Sequence, residues 1–305
     1  MPQFDTRKDG RSYLFALLLL SYVLGRVLQL YADRLPTLLI VVLHVLPLAI
    51  FALVHGAMAY RLRGILVFTV LCLGIASLFE SLSLRTGFPF GHYYFTSLMG
   101  PKLLQLPILL ALAYLGMGYL SWVVGLSILR LWDKPMAGAQ VMLLPMVASF
   151  VMVAWDLSMD PVWANIEHGW VWRDGGAWFG VPLSNFLGWY LTVYTFYLAF
   201  ALYLRHRTAV PIPLKQWRMP ILFYGACAAG NLLLAFPSWI PKTVTDASGL
   251  QWMSSEIIGS CVLISVFVMG TFALIAWAAL SYAIRTSRRS DTNLQSLVIS
   301  ISKDH

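Results

Sequence analysis

Residues 154–190 read AWDLSMDPVWANIEHGWVWRDGGAWFGVPLSNFLGWY. This stretch carries Asp156, Asp160, Glu167 and Asp174, four of the thirteen acids, and six of the twelve tryptophans. Long apolar runs flank it on both sides, so it reads as the link between two membrane spans, and that reading decides the fold class. Asp156 and Asp160 are four residues apart and share one face if the first run is a helix. Two carboxyl groups at the edge of a span are costly unless they pair or act.

Outward from this stretch the chain is of the same kind. Apolar residues make up 59% of 305, charged residues 11%, and the mean hydropathy is +0.75. The expected fold is all-α, a polytopic integral membrane bundle of about eight spans. They lie near 12–31, 37–60, 64–84, 106–130, 138–159, 183–204, 218–237 and 256–284. Residues 1–284 form one transmembrane domain, and 285–305 a polar cytoplasmic tail. Pro36, Pro101, Pro135, Pro161, Pro182, Pro211, Pro213 and Pro241 punctuate the gaps. The basic start followed by an apolar run without a small-residue cleavage site reads as a first span, not a removed signal.

The net charge of +8 is distributed by loop, which argues for a topology signal and against a nucleic-acid partner. With eight spans, fifteen Lys and Arg fall on the side of both termini. Five fall on the other side: Arg34, Arg85, Lys102, Arg173 and Lys242. Positively charged loops stay in the cytoplasm, so the expectation is a multi-pass protein of the inner (plasma) membrane with both termini cytoplasmic. Cys72, Cys227 and Cys261 all fall inside apolar runs with no CxxC spacing and read as core thiols.

Polar residues within the spans gather at the outer side. They are Arg26, His44, Glu80, Asp156 with Asp160, Asn185, Asn231 and Glu256, and only the fourth span contributes none. A charge at the centre of a lone helix costs about 2.5–3.5 kcal/mol. Grouped around one cavity, with Arg26 neutralising an acid, these residues become tolerable. Residues 80–101, ESLSLRTGFPFGHYYFTSLMGP, add Phe88, Phe90, Tyr93, Tyr94 and Phe95, too apolar for a free loop, which should fold back as a cap. Trp170, Trp172, Trp178 and Phe179 flank Asp174-Gly175-Gly176, which reads as a short hairpin turn and an aromatic lid.

Carboxyl groups, aromatic walls and a low-dielectric pocket suit a long apolar substrate that reacts through a carbocation. A buried carboxylic acid keeps its proton and can donate it, and rings facing a cation stabilise it by about 0.5–2 kcal/mol each. Glu80, Asp156 and Asp160 are the candidate acids, and His92 and Asn185 would position water or an acid. Phe88, Phe90, Tyr93, Tyr94, Trp155, Trp172 and Trp178 would line the substrate. The DxxxD of Asp156 and Asp160 also matches diphosphate-binding prenyltransferases, but no second Asp-rich motif accompanies it. No HxxxH or HxxH spacing supports a metal site, no span holds a Lys for a Schiff base, and no internal repeat suggests a transporter. His55 reads as a hydrogen-bonded packing residue.

GFPFGHYYFTSLMGP, followed by DLSMDPVWANIEHGWVWRDGGAWFGVPLSNFLGWY, resembles the carotenoid biosynthesis membrane protein family, over roughly residues 60–205. The family includes carotenoid hydratases. The resemblance implies addition of water across the C1,2 double bond of an acyclic end group, without a cofactor. It also implies a carotenoid drawn from the lipid bilayer and other carotenoid-pathway membrane enzymes as partners. A Trp common in the family's fourth span is replaced here by Tyr114 and Trp122 as aromatic candidates. The alternatives are a non-catalytic carotenoid-binding or scaffold protein and another end-group enzyme such as a cyclase.

Overall fold

The computed structural model describes residues 6–32, 34–132, 134–207, 212–235 and 241–303. Among them, seven helical segments are long and apolar enough to cross a membrane. The helices are α1 (Thr6–Leu28), α2 (Thr37–Thr86), α3 (Ile108–Ile128), α4 (Gln140–Asn165), α5 (Leu183–Arg205), α6 (Arg218–Gly230), α7 (Ser254–Ile264) and α8 (Gly270–Lys303). A π-helical turn, Ser265–Met269, joins α7 to α8 as one segment, and a 3₁₀ turn, Asn231–Ala235, ends α6. Pro211 lies outside the described residues. The stretch expected as a tail from 285 continues α8 as helix through Lys303.

Straight, the 50 residues of α2 would reach about 75 Å, far beyond a bilayer core. They do not run straight, because Arg61 takes φ 61° and ψ 168° and breaks the helix. His55 and Phe68, on either side of the break, both pack on the ring of Tyr119. Gly56 makes room for Ile65. The two arms of α2 are therefore antiparallel and correspond to the expected spans 37–60 and 64–84.

α3 is apolar all round, and it is buried almost continuously from Leu110 to Ser127, as a central helix must be. Glycines set its close approaches. A Cβ at Gly116 would meet Leu48 and the backbone of Ala49, and one at Gly125 would meet Ala148. Leu17, Val70, Leu78, Phe150, Leu187, Phe267 and Leu274 are each more than half exposed on the outside, the apolar surface that lipid would cover. Cys72, Cys227 and Cys261 are buried free thiols.

Two prolines that should break helices are instead accommodated. α4 does not stop before Pro161 but passes through it to Asn165, which places Asp160 inside the helix. Pro161 has no N–H to give Leu157 O, and the indole Nε1 of Trp178 donates to that oxygen at 3.2 Å. Gln216 O, four residues before Pro220, also takes its donor from another helix, His55 Nε2 at 3.1 Å. With Nε2 donating, His55 Nδ1 accepts from Tyr119 Oη at 2.7 Å, so His55 is a fully bonded packing residue.

Short strands close one end of the bundle. β1 (Tyr93–Phe95) pairs antiparallel with β4 (Trp170–Trp172), with Tyr93 opposite Trp172 and Phe95 opposite Trp170. The hairpin expected at Asp174-Gly175-Gly176 does not form, because β4 finds its partner in β1, and Trp178 bridges only to Val181. β2 (Lys102–Leu103) pairs with β3 (Leu106–Pro107), and β5 (Thr243–Thr245) with β6 (Gln251–Met253).

Candidate active site

Glu80 lies in the last two turns of the second arm of α2 and is 3% exposed. Its Oε1 accepts from Tyr114 Oη at 3.1 Å, and its Oε2 accepts from the hydroxyl of Tyr93. Asp156 and Asp160, each 1% exposed, follow one another on a face of α4. Asn185, in the first turn of α5, donates its amide to both, at 3.0 Å to Asp156 Oδ2 and 2.6 Å to Asp160 Oδ2. Asp160 Oδ1 accepts from Trp170 Nε1 at 2.7 Å and Trp172 Nε1 at 3.2 Å. Asp156 Oδ1 is buried and has no partner among the described residues.

All of these groups except Tyr114 line one recess of about 300 Å³, mouth included, together with Phe90, Phe95, Leu110 and Trp189. The strand pair is its roof. Alternation along β1 and β4 buries Tyr93, Phe95, Trp170 and Trp172 and turns Tyr94 outward. The 88–91 loop is held down by Ser184 Oγ, which donates to Phe90 O at 2.9 Å, and by Ser83 Oγ, which donates to Gly91 O at 3.1 Å. Gly188 leaves α5 room for Pro89 and Phe90, which a Cβ there would strike. All donors to the three acids are neutral, and among the described residues no cation lies within ion-pair reach of them.

Arg26 therefore does not neutralise an acid as expected. It lies across Gly230 and donates to Asn231 Oδ1, and Asn231 Nδ2 donates to Ser265 Oγ at 2.6 Å. Arg26 and Asn231 belong to a larger neighbouring cavity of about 720 Å³, mouth included. Its walls are otherwise largely apolar and aromatic, among them Leu48, Met117, Trp155, Met159 and Trp163, with His44 beside Arg26. Leu110 and Trp170 line both spaces, so the cavity and the acid recess adjoin.

Of the residues singled out from sequence, Glu80, Asp156, Asp160, Asn185, Phe90, Tyr93 and Trp172 come together. Trp155 lines the larger cavity and meets Trp189 edge-on at 6.0 Å. Four stand elsewhere. His92 is exposed, and its Nδ1 pairs with Asp174 Oδ2 at 2.8 Å on the outer side of the cap, so it does not position the acids. Phe88 and Tyr94 are 56% and 45% exposed, because the loop and strand turn them outward. Trp178 is committed to Leu157 O beneath Pro161, not to the recess. Glu256, counted among the converging groups, is exposed and caps α7 through Met253 N at 3.2 Å. Glu167, beyond the end of α4, is half-buried, and burial pushes its carboxyl above the usual range against the opposing pull of His168.

Sequence reasoning missed the part played by the fourth span. Tyr114 of α3 bonds Glu80 and stacks on Trp189 with ring centroids 4.5 Å apart. Trp170 was readable only as a lid residue. The signal was its two-residue spacing from Trp172, which puts both on one face of a strand.

A family model described as carotenoid biosynthesis protein matches residues 36–251, more than half of the chain and every residue of the acid recess. No match was found among curated proteins or among solved structures.

Proposed function

We propose, from the premise that the chain belongs to the carotenoid biosynthesis protein family, that it is an enzyme adding water across the terminal double bond of an acyclic carotenoid end group. The observation that carries this reading is Asp156 Oδ1, a buried carboxyl oxygen that, among the described residues, has no partner, in a recess lined by three acids and, among those residues, no cation. The adjoining apolar cavity suits the polyene, and Leu110 and Trp170 mark where the end group would enter the recess.

In this mechanism the Asp156 carboxyl gives its proton to the terminal alkene. A C–H bond forms at one carbon, the π bond breaks, and a tertiary cation is left at the other. Trp172, Trp189, Tyr93 and Phe90 present rings towards that charge, a favourable arrangement in a water-poor space. Water adds its oxygen to the cation and releases a proton to the carboxylate pair, so the acid is regenerated and the net change is one water gained. Asn185 holds Asp156 and Asp160 together throughout. Glu80, fixed by two tyrosine hydroxyls, is the second acid able to act on the end group.

The test is coexpression with pathways making acyclic or half-cyclised carotenoids, followed by mass analysis of the pigments. A gain of one water supports the hydratase, an isomer of unchanged mass supports a cyclase instead, and an unmodified pigment that copurifies supports a binding protein. A positioned general acid contributes about 10²- to 10⁴-fold. Asp156→Asn and Glu80→Gln are therefore each expected to lose at least about a hundredfold of the conversion while the protein still accumulates in the membrane. Full conversion by both variants would end the general-acid assignment.

A further inference from the structure

The other end of the bundle holds a further cavity, and its chemistry is the reverse of that of the acid recess. Arg61 and Glu80 sit nineteen residues apart on one arm of α2, which separates the two ends by about 28 Å. The cavity has a volume of about 1040 Å³, mouth included, and Arg61, Arg63, Lys134 and Arg207 stand around it. Aromatic and aliphatic side chains form the rest of the wall, among them Trp132, Met136, Leu204 and Trp217. Arg207 stacks on the ring of Tyr203, with its Cζ 5.0 Å from the ring centroid, and this holds one guanidinium at the rim.

A basic rim alone is what cytoplasmic loops of membrane proteins carry. The wall adds more. Trp217 is 2% exposed, and its Nε1 has no partner among the described residues. Tyr60 accepts from Trp122 Nε1 at 2.8 Å, and because an indole only donates, the hydroxyl proton of Tyr60 is left to give. Trp132 Nε1 is already spent on Ser127 Oγ at 3.1 Å. The side chains of the wall thus offer four cations and three neutral donors, Tyr60, Trp217 and the half-buried Tyr203, and among the described residues no carboxylate lines the space. A wall of donors calls for a ligand rich in acceptors and negative charge, and its apolar part calls for a hydrocarbon chain.

We propose that this cavity binds the phosphate headgroup of an anionic phospholipid, with Arg61, Arg63, Lys134 and Arg207 as counter-charges and Tyr60 and Trp217 as hydrogen-bond donors. Free diphosphate shares the phosphate chemistry but not the apolar tail that Leu204, Met136 and Trp132 are placed to meet. The proposal does not depend on the hydration reading, which concerns the opposite end.

Native mass spectrometry of the purified full chain tests it, with phosphatidylglycerol, phosphatidylcholine and inorganic pyrophosphate as three separate probes. Phosphatidylglycerol is expected to fill one site that phosphatidylcholine does not. Lys134→Gln combined with Arg207→Gln, both at exposed positions, should weaken that binding by about tenfold or more. Trp217→Phe, which keeps one aromatic ring and removes the N–H, should weaken it, and Arg85→Gln with Arg173→Gln, at the other end, should leave it unchanged. Equal occupancy by the two lipids, or indifference to the Lys134 and Arg207 changes, would overturn the site. Pyrophosphate binding in place of the lipid would overturn the lipid assignment.

Discussion

Asp156 differs from its neighbours by one oxygen. Glu80 and Asp160 have both carboxyl oxygens bonded, whereas Asp156 Oδ1 has none among the described residues. Asn185 shares its amide between the two aspartates, so its loss should be felt by both. Asn185→Leu, which keeps the branched shape and removes the donors, is expected to lower product per milligram of membrane protein by about 10- to 100-fold, since a hydrogen bond to a charged or partly charged group is worth about 1.5–3 kcal/mol. Unchanged turnover would mean that Asn185 only packs. The acids were legible because carboxyl groups inside apolar runs stand out. Tyr93 and Tyr94 were not separable from composition, since both are aromatic and adjacent. Only strand alternation tells them apart, and that needs the strand to be recognised first. Tyr114 was legible as an aromatic candidate of the fourth span, but not as a donor to Glu80, because in an all-apolar helix a tyrosine reads as one more ring.

At the level of elements, α4 depends on a residue outside itself. Its passage through Pro161 leaves Leu157 O without a helical donor, and Trp178 supplies one from the following loop. A proline normally marks a helix end, so reading the span as ending at 159 followed from local rules, and only the distant indole makes the longer helix tolerable. Trp178→Phe keeps most of the ring and removes the donor. It should destabilise the protein by about 1–3 kcal/mol, seen as a lower unfolding temperature in detergent, with little change in substrate KM. A raised KM with unchanged stability would return Trp178 to the substrate wall. The β5–β6 pair is organised in the same spirit by Asp246. Its Oδ1 accepts from Ser248 N at 2.9 Å and Leu250 N at 3.0 Å, and its Oδ2 from Trp252 Nε1 at 2.9 Å. Burial raises the Asp246 carboxyl, but these hydrogen bonds outweigh it and hold the group below the usual range. A depressed carboxyl stabilises the folded form above its unfolded pKa, about 3.9, and that contribution fades as pH falls through the lower folded value. Amide protection of residues 243–253 is therefore expected to drop below about pH 4 and to be lower and pH-insensitive there in Asp246→Asn. Identical protection in both proteins across that range would remove Asp246 from the account.

For the whole molecule, the clearest feature is polarity between its two ends. Acids and tryptophans close one end, and Arg61, Arg63, Lys134 and Arg207 ring the other. The spans were legible because length and apolarity define them, and the return at Arg61 was legible because a charged RLR interrupts what is otherwise one long apolar run. The roof was not, because β1 and β4 pair across some seventy-seven residues and nothing local announces the partner. The same polarity predicts an orientation. Fifteen basic residues on the side of the termini against five on the side of the roof lead to the expectation that the acid recess faces away from the cytoplasm. Ala177, on the side of the roof, and His206, at the end of α5 on the other side, are both exposed. Single cysteines at these two positions, in a background where Cys72, Cys227 and Cys261 are buried, should react with an impermeant maleimide from opposite sides of sealed membranes. Ala177→Cys should label in intact cells, and His206→Cys only after the membrane is opened. Labelling of both from one side would break the eight-crossing topology, and exchange of the two patterns would keep that topology but turn the acid recess to the cytoplasm.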